Sequence, residues 1–274
     1  MTGIPSLDIL GSLERLVQVE LKSMQYVERG IVITMMRLKT GLSFTSLGVM
    51  LGTDRSTCSR SFAAVLPVLS SILKECIEFP SKEKVLCNMP QCFKQYKNVR
   101  VVLDCTEVSI ERHSCLDCRI CSYSHYHGCE SVKVMVGCSP AGTITYVSDV
   151  YGGKVSDKQI FTDSRLVNQL EPYIDGVMVD KGFLIDEECL ANAISLVRPP
   201  FLRNEKQLSP ADARLTRDIA WARVHVERAI QRMKQFTILK NKIPWTMLPY
   251  INHIFTVICA LTNLSQPILA GDKF

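Results

Sequence analysis

The sequence predicts an α/β chain in which an all-helical amino-terminal region precedes a mixed sheet flanked by helices. Three observations carry this. From about residue 6 to residue 78, apolar residues recur at three and four spacings with no convincing strand pattern. Two β-branched or apolar runs, Val101 to Leu103 and Val177 to Val179, have the length of short buried strands, and each is followed by an acid, Asp104 and Asp180. A long helical pattern opens with Ser209 in the capping position and Pro210 at the first helical position.

The 274 residues, 47% of them hydrophobic, suffice for one large domain or one domain with a smaller one. The expected division is a helical region over 1–95 and a sheet domain over 96–274. Within the first, SFTSLGVMLGTDRSTCSRSF reads as two short helices joined at Gly52, the first opening at Ser43 and the second near Thr53. This is a helix-turn-helix pattern, spanning about 41–66. In such a motif the second helix lies in the major groove, where Arg55, Ser56, Ser59 and Arg60 would meet base edges or phosphates. An ordinary helical hairpin is the alternative. A polar loop with Pro80 and Pro90 leads into the second region near Asn98. There strands are expected at Val101 to Cys105, Val132 to Cys138 and Thr143 to Asp149, a helix from Ser156 to Leu170, and a strand at Val177 to Asp180. A helix near Asp186 to Ala193, a short strand at Ser195 to Arg198 and the long helix after Pro210 complete the order. Three strands followed by alternating helices and strands is the order of an RNase H-like fold. In that fold the first and fourth strands are neighbours, so Asp104 and Asp180 would end side by side, and the long helix can bring Glu227 to them.

Three crowded carboxylates repel one another without a cation, and Mg²⁺ or Mn²⁺ offsets their charge through hard oxygen ligands. Two such ions about 4 Å apart suit cleavage of a phosphodiester. Asp104, Asp180 and Glu227 are therefore the candidate catalytic acids and metal ligands, for two Mg²⁺ with Mn²⁺ as the substitute. Taken singly, each acid could equally be a cap or a surface charge. Arg223 stands one helical turn before Glu227 and Lys234 two turns after, on one helical face, as cations flanking the acid. Arg228 and Arg232 extend this track for phosphates, and a plain surface ion pair of Arg223 with Glu227 is the alternative.

The net charge of +5 is mild, and its meaning comes from a basic run between Arg198 and Lys242 that includes Arg203 and Lys206. The amino terminus lacks a basic stretch followed by an apolar core, so no secretory signal is expected. LPYINHIFTVICALTNL is interrupted by Asn252 and His253, which argues for a buried helix and against a membrane partner. In a chain of this size without a signal, twelve cysteines favour reduced thiols. Trp221 and Trp245 are expected as core or interface anchors rather than base-stacking platforms. His225 is expected to be structural, and His253, in the last helix, a satisfied core group.

VVLDCTEVSIER, VSDVYGGKVSDKQI, VMVDKGF and VHVER together resemble the motifs of the DDE superfamily of transposases and endonucleases, particularly the eukaryotic Harbinger-related elements and their bacterial insertion-sequence relatives. The likeness covers roughly residues 30 to 265. Arg223, Glu227 and Lys234 also fit the bacterial relatives' signature, with Ala220 where a tyrosine is usual. LSFTSLGVMLGTDRSTCSRSF is similar to the helix-turn-helix that precedes their catalytic domain. The resemblance implies a nuclear transposase that binds double-stranded element ends, cleaves with two Mg²⁺ and joins the freed 3′-hydroxyl to target DNA. It implies Asp104, Asp180 and Glu227 as metal ligands, and Glu107 and Asp157 as either supporting ligands or structural hydrogen-bonding groups. Lys181 replaces the family's more usual arginine as a DNA-facing cation. The chain begins almost at the helix-turn-helix, so an accessory DNA-binding protein is an expected partner, beside a homo-oligomer on DNA. A domesticated or decayed relative that binds DNA or a protein without cutting is the alternative function.

The segment ERHSCLDCRICSYSHYHGCES departs from the family's polar loop. Cys115, Cys118, Cys121 and Cys129, with His113, His125 and His127 nearby, have spacing able to hold zinc. A reduced loop close to DNA, with Lys133 and the tyrosines touching phosphates, is the competing reading.

Overall fold

A computed structural model describes residues 2–202 and 209–267. Arg203 and Lys206 of the basic run lie outside the described residues. In chain order the elements are α1 (Leu7–Glu20), α2 (Val27–Thr40), α3 (Phe44–Leu51), α4 (Arg55–Lys74), α5 (Lys82–Cys87), β1 (Val99–Ser109), α6 (Leu116–Ser122), β2 (Tyr123–Ser124), β3 (Cys129–Cys138), β4 (Ile144–Val147) and β5 (Tyr151–Gly152). They continue with α7 (Asp157–Ser164), β6 (Gly176–Met178), α8 (Asp186–Ala191), β7 (Ser195–Val197), α9 (Pro210–Met233) and α10 (Ile251–Leu264). Two compact units are built from them: Met1–Ile77 with Val108–Val132 and Arg232–Gln266, and Glu78–Glu107 with Lys133–Gln231 and Pro267–Phe274. The boundary expected at 95/96 falls inside the second unit.

The first unit is organised by α4. Its buried residues Cys58, Phe62, Val65, Leu66, Leu69 and Leu73 repeat at three and four spacings, and this stripe packs against α1, α2, α3 and α10. By length and composition alone, Arg55–Lys74 and Trp245–Leu264 could each cross a membrane. Here α4 and α10 cover one another's apolar faces. The return of α10 to α4 is why the unit draws on both ends of the sequence.

The turn between α3 and α4 follows from its residues. The Ser43 hydroxyl accepts the Ser46 N–H at 3.0 Å and so caps α3, and Gly52 ends the helix at φ +60°. At Gly48 a Cβ would stand 2.7 Å from the Thr53 carbonyl oxygen, so only glycine lets the second helix leave this close to the first.

In the second unit, β1 pairs in parallel with β6, matching Val101 to Val177 and Val102 to Met178, and β6 pairs in parallel with β7. The strand order is β3-β1-β6-β7, with β4 and β5 also on β3, and within the first unit β2 pairs antiparallel with Cys129 and Glu130. The mixed sheet flanked by helices is consistent with an RNase H-like domain preceded by helices. Parallel strands covered on both faces read as continuous apolar runs, which is why Val101 to Leu103 and Val177 to Val179 carry no alternation. All six residues are fully buried. The helix expected over Ser156 to Leu170 is α7 followed by a 3₁₀ turn, Leu166–Gln169, broken at Arg165 where φ is +52°. Four short elements were not anticipated, α5, α6, β2 and β5, and α5 stands in the stretch expected as a polar loop. A buried ion group secures the approach to β6: Asp175, wholly buried, pairs with Arg100 at 2.8 Å and Lys82 at 3.1 Å.

Candidate active site

The site grows from three elements of the second unit. β1 carries Asp104 directly after its buried run, Asp180 follows β6 by two residues, and Glu227 projects from α9. The parallel pairing of β1 with β6 sets the two aspartates beside one another, as the strand order predicts. α9 begins where its sequence says it should, with the Ser209 hydroxyl accepting the Asp212 N–H at 3.1 Å.

One guanidinium joins the three acids. Arg223 lies 3.0 Å from Asp180, 3.8 Å from Asp104 and 4.0 Å from Glu227. Its side chain is 9% exposed, whereas those of Asp104, Asp180 and Glu227 are 28%, 56% and 49% exposed. The arginine is thus a floor and the carboxylates an open rim. Sequence spacing placed Arg223 on the Glu227 face as a flanking cation for phosphates. Its burial, on a helix where Ala222 and Val226 are also buried, instead directs it into the acid set, which helical spacing alone does not reveal.

Burial pushes the Asp104 carboxyl up to about 6. Arg223 and the Cys105 backbone N–H, which donates to Asp104 Oδ1 at 2.9 Å, pull the other way, while Asp180 and Glu227 push further up. A carboxyl that resists ionisation beside two more acids is a group short of positive charge. The oxygen-only donor set fits a hard divalent cation. Among the described residues, only His113, Cys115 and Cys118 bring three ligand atoms within 4.8 Å, so the acids stand spread around the guanidinium rather than closed on a point.

The supporting acids form a separate group. Lys133 pairs with Glu107 at 3.2 Å and Asp157 at 3.2 Å, and donates to the Val155 carbonyl at 3.1 Å. Lys133 is therefore engaged within the protein, not extended toward phosphates as expected for the loop reading. Lys181 lies over the Phe201 ring at 5.6 Å. Arg228 is exposed, Arg232 is half-buried and donates to the Gln266 carbonyl, and Lys234 sits one residue beyond the end of α9. In the first unit Arg55, Ser56 and Arg60 are exposed at the start of α4, and Ser59 is half-buried. Trp221 is 68% exposed on the solvent side of an amphipathic helix, which removes the core alternative of its expected core-or-interface placement. His225 is buried, 3.2 Å from Cys92 Sγ and beside the Phe93 ring. Cys129 lies against Ser109 Oγ at 3.6 Å, and neither it nor Cys121 joins the His113, Cys115 and Cys118 group.

No curated protein and no solved structure matches this chain. The sequence matches the family described as DDE superfamily endonuclease over residues 103–263, more than half of its length and inclusive of all three acids. A Harbinger relation is consistent with that match, and the chain belongs to the DDE superfamily of endonucleases.

Proposed function

We propose that this protein is a metal-dependent DNA endonuclease of the transposase type, which cuts phosphodiester bonds at element ends and transfers the 3′-hydroxyl to target DNA. The observation that carries the reading is the convergence of Asp104 from the middle of β1, Asp180 from just beyond β6 and Glu227 from α9 on one buried guanidinium. Membership of the endonuclease superfamily supports it.

Asp104, Asp180 and Glu227 would hold the divalent cations, two Mg²⁺ or in their place Mn²⁺. When bound, these ions supply charge neutralisation and activation of water for phosphodiester cleavage. The chain's own residues prepare the site. The Cys105 amide orients Asp104, Arg223 orients Asp180 and keeps three neighbouring carboxylates tolerable, and the rim of exposed acid oxygens admits a backbone phosphate with its ions. Cleavage breaks a P–O bond with water and releases a 3′-hydroxyl. In transfer, that oxygen attacks a target phosphate and displaces the target's own 3′-oxygen.

Double-stranded DNA is the substrate under this reading, approached by α3 and α4 as a helix-turn-helix with Arg55, Ser56, Ser59 and Arg60 toward the groove. Lys181, Arg223, Arg228, Arg232 and Lys234 form its set of cations for DNA, with Arg223 acting from beneath the acids. A homo-oligomer pairing two ends, an accessory DNA-binding protein and a nuclear location complete the proposal.

A nicking assay with Mg²⁺ on DNA bearing candidate end sequences tests it, beside Asp104→Asn and Glu227→Gln. Cutting by the wild type alone is the expected result. If all three proteins bind the DNA and leave it equally intact, the enzyme reading fails and a binding role for a domesticated chain takes its place.

A further inference from the structure

The loop between β1 and β3 holds a cluster that the acid chemistry does not use. Within the first unit, ligand atoms of His113, Cys115 and Cys118 all lie within 4.8 Å of one another, with Cys115 exposed and the other two half-buried. The surrounding contacts hold these side chains in place. At the base of the loop the Glu111 N–H donates to the Ile243 carbonyl and the Ile243 N–H to the Ser109 carbonyl, each at 2.9 Å. The His113 ring lies against the Trp245 indole with centroids 4.2 Å apart. Its Nδ1 accepts the Cys115 backbone N–H at 3.0 Å, which marks Nδ1 as the unprotonated ring nitrogen. Glu130 anchors both flanks through Arg112 at 3.5 Å and Arg119 at 3.6 Å.

We infer that His113, Cys115 and Cys118 form a Zn²⁺ site of one imidazole and two thiolates. Soft sulfur with imidazole nitrogen selects zinc over Mg²⁺, the reverse of the preference of an all-carboxylate set. Zinc bonds of about 2.3 Å to sulfur and about 2.0 Å to nitrogen place tetrahedral ligand atoms roughly 3.5–4 Å apart. The observed atoms lie within 4.8 Å of one another, so binding would draw them slightly closer. On binding, each cysteine loses its thiol proton to solvent and the ion gains two sulfur ligands. The set differs from the one that spacing alone suggests, since Cys129 is turned to Ser109 and His113 takes part. Bound zinc would tie the loop at His113, four residues past the end of β1, to the start of α6, bracing a short helix that exposes Leu116 and Ile120. This inference is independent of the proposed nuclease activity.

The test uses the full chain, stripped with a chelator and titrated with Zn²⁺ against a chromophoric competitor, then with Co²⁺ while thiolate charge-transfer absorption is followed. Binding of about one zinc per chain with a thiolate band is expected. Cys115→Ser and Cys118→Ser should each weaken zinc more than about a hundredfold, beyond the loss typical of a merely supporting group, and His113→Ala should weaken it while keeping the thiolate band. Cys129→Ser should leave it unchanged. The wild-type Co²⁺ spectrum is read without reference to whether any variant folds. Absence of a thiolate band in the wild type, zinc retained by the Cys115→Ser, Cys118→Ser double variant, or equal loss in Cys129→Ser would each overturn the site.

Discussion

Two cations of the second unit each gather carboxylates supplied in part by β1, and they do so in opposite ways. Lys133 has three acceptors within 3.2 Å, Glu107, Asp157 and the Val155 carbonyl, which saturate the three protons of its ammonium group. Burial alone would lower its pKa, but Asp157 and Glu107 outweigh that and raise it. Glu107 is only 9% exposed. Arg223 makes one hydrogen-bond contact at 3.0 Å and two longer ionic approaches, and the acids around it keep oxygens open to solvent. A cation that closes its acceptors is structural. One that leaves them under-neutralised and accessible marks a place where more positive charge can enter.

The largest expected effect breaks the comparison by chemistry. Asp104→Asn, Asp180→Asn or Glu227→Gln should lower Mg²⁺-dependent nicking by on the order of a thousandfold, about 4 kcal/mol in barrier, whereas Glu107→Gln should cost less than about tenfold. Equal losses would merge the two acid groups into one functional site. Next in size is stability. Lys133→Ala strands the nearly buried Glu107 beside a half-exposed Asp157 and should cost about 2 kcal/mol in chemical denaturation, with or without Mg²⁺. Arg223→Ala should be destabilised in chelator and regain at least about half the loss when Mg²⁺ is added, because bound cation replaces the missing charge. If both variants respond alike to Mg²⁺, the distinction between closed and open cations is lost.

A smaller effect concerns pH in the metal-free chain. Asp104 has its carboxyl raised from 3.8 to about 6, so the folded state holds this proton more tightly than the unfolded one. Its contribution to stability is complete below 3.8 and is lost as pH rises toward about 6. Asp104→Asn should therefore melt higher than the wild type above that range, by about 1–2 kcal/mol, and gain nothing near pH 4. An advantage at pH 4 as large as at pH 8 would remove burial of charge as the cause. The smallest effect lies in the first unit. Arg60→Ala should reduce the salt dependence of DNA binding by roughly one phosphate contact, a slope change of about 0.9, measured by titrating affinity against salt.

Much of the site was legible residue by residue. Asp104 and Asp180 each follow a buried apolar run, and Ser209 with Pro210 announced the helix that carries Glu227. The turn at Gly52 was equally visible, since few residues adopt its φ of +60°. The orientation of Arg223 was not visible, because helical spacing says which residues share a face and not whether that face looks to solvent or to an acid pocket. α6 escaped notice because its seven residues mix cysteines with an exposed Leu116 and Ile120 and carry no readable stripe. The role of Lys133 depended on partners far along the chain, beyond the reach of any local pattern.

Periodicity, capping and turn chemistry by themselves indicated the longer helices and the buried strands, because each rests on interactions among residues a few positions apart, while motifs such as VVLDCTEVSIER, VMVDKGF and VHVER carried the family resemblance. Tertiary structure alone decided which cation each acid faces, which cysteines meet His113, and that α10 closes on α4. Those choices depend on burial and on Coulomb interactions through space, whose strength follows distance and exposure rather than sequence separation.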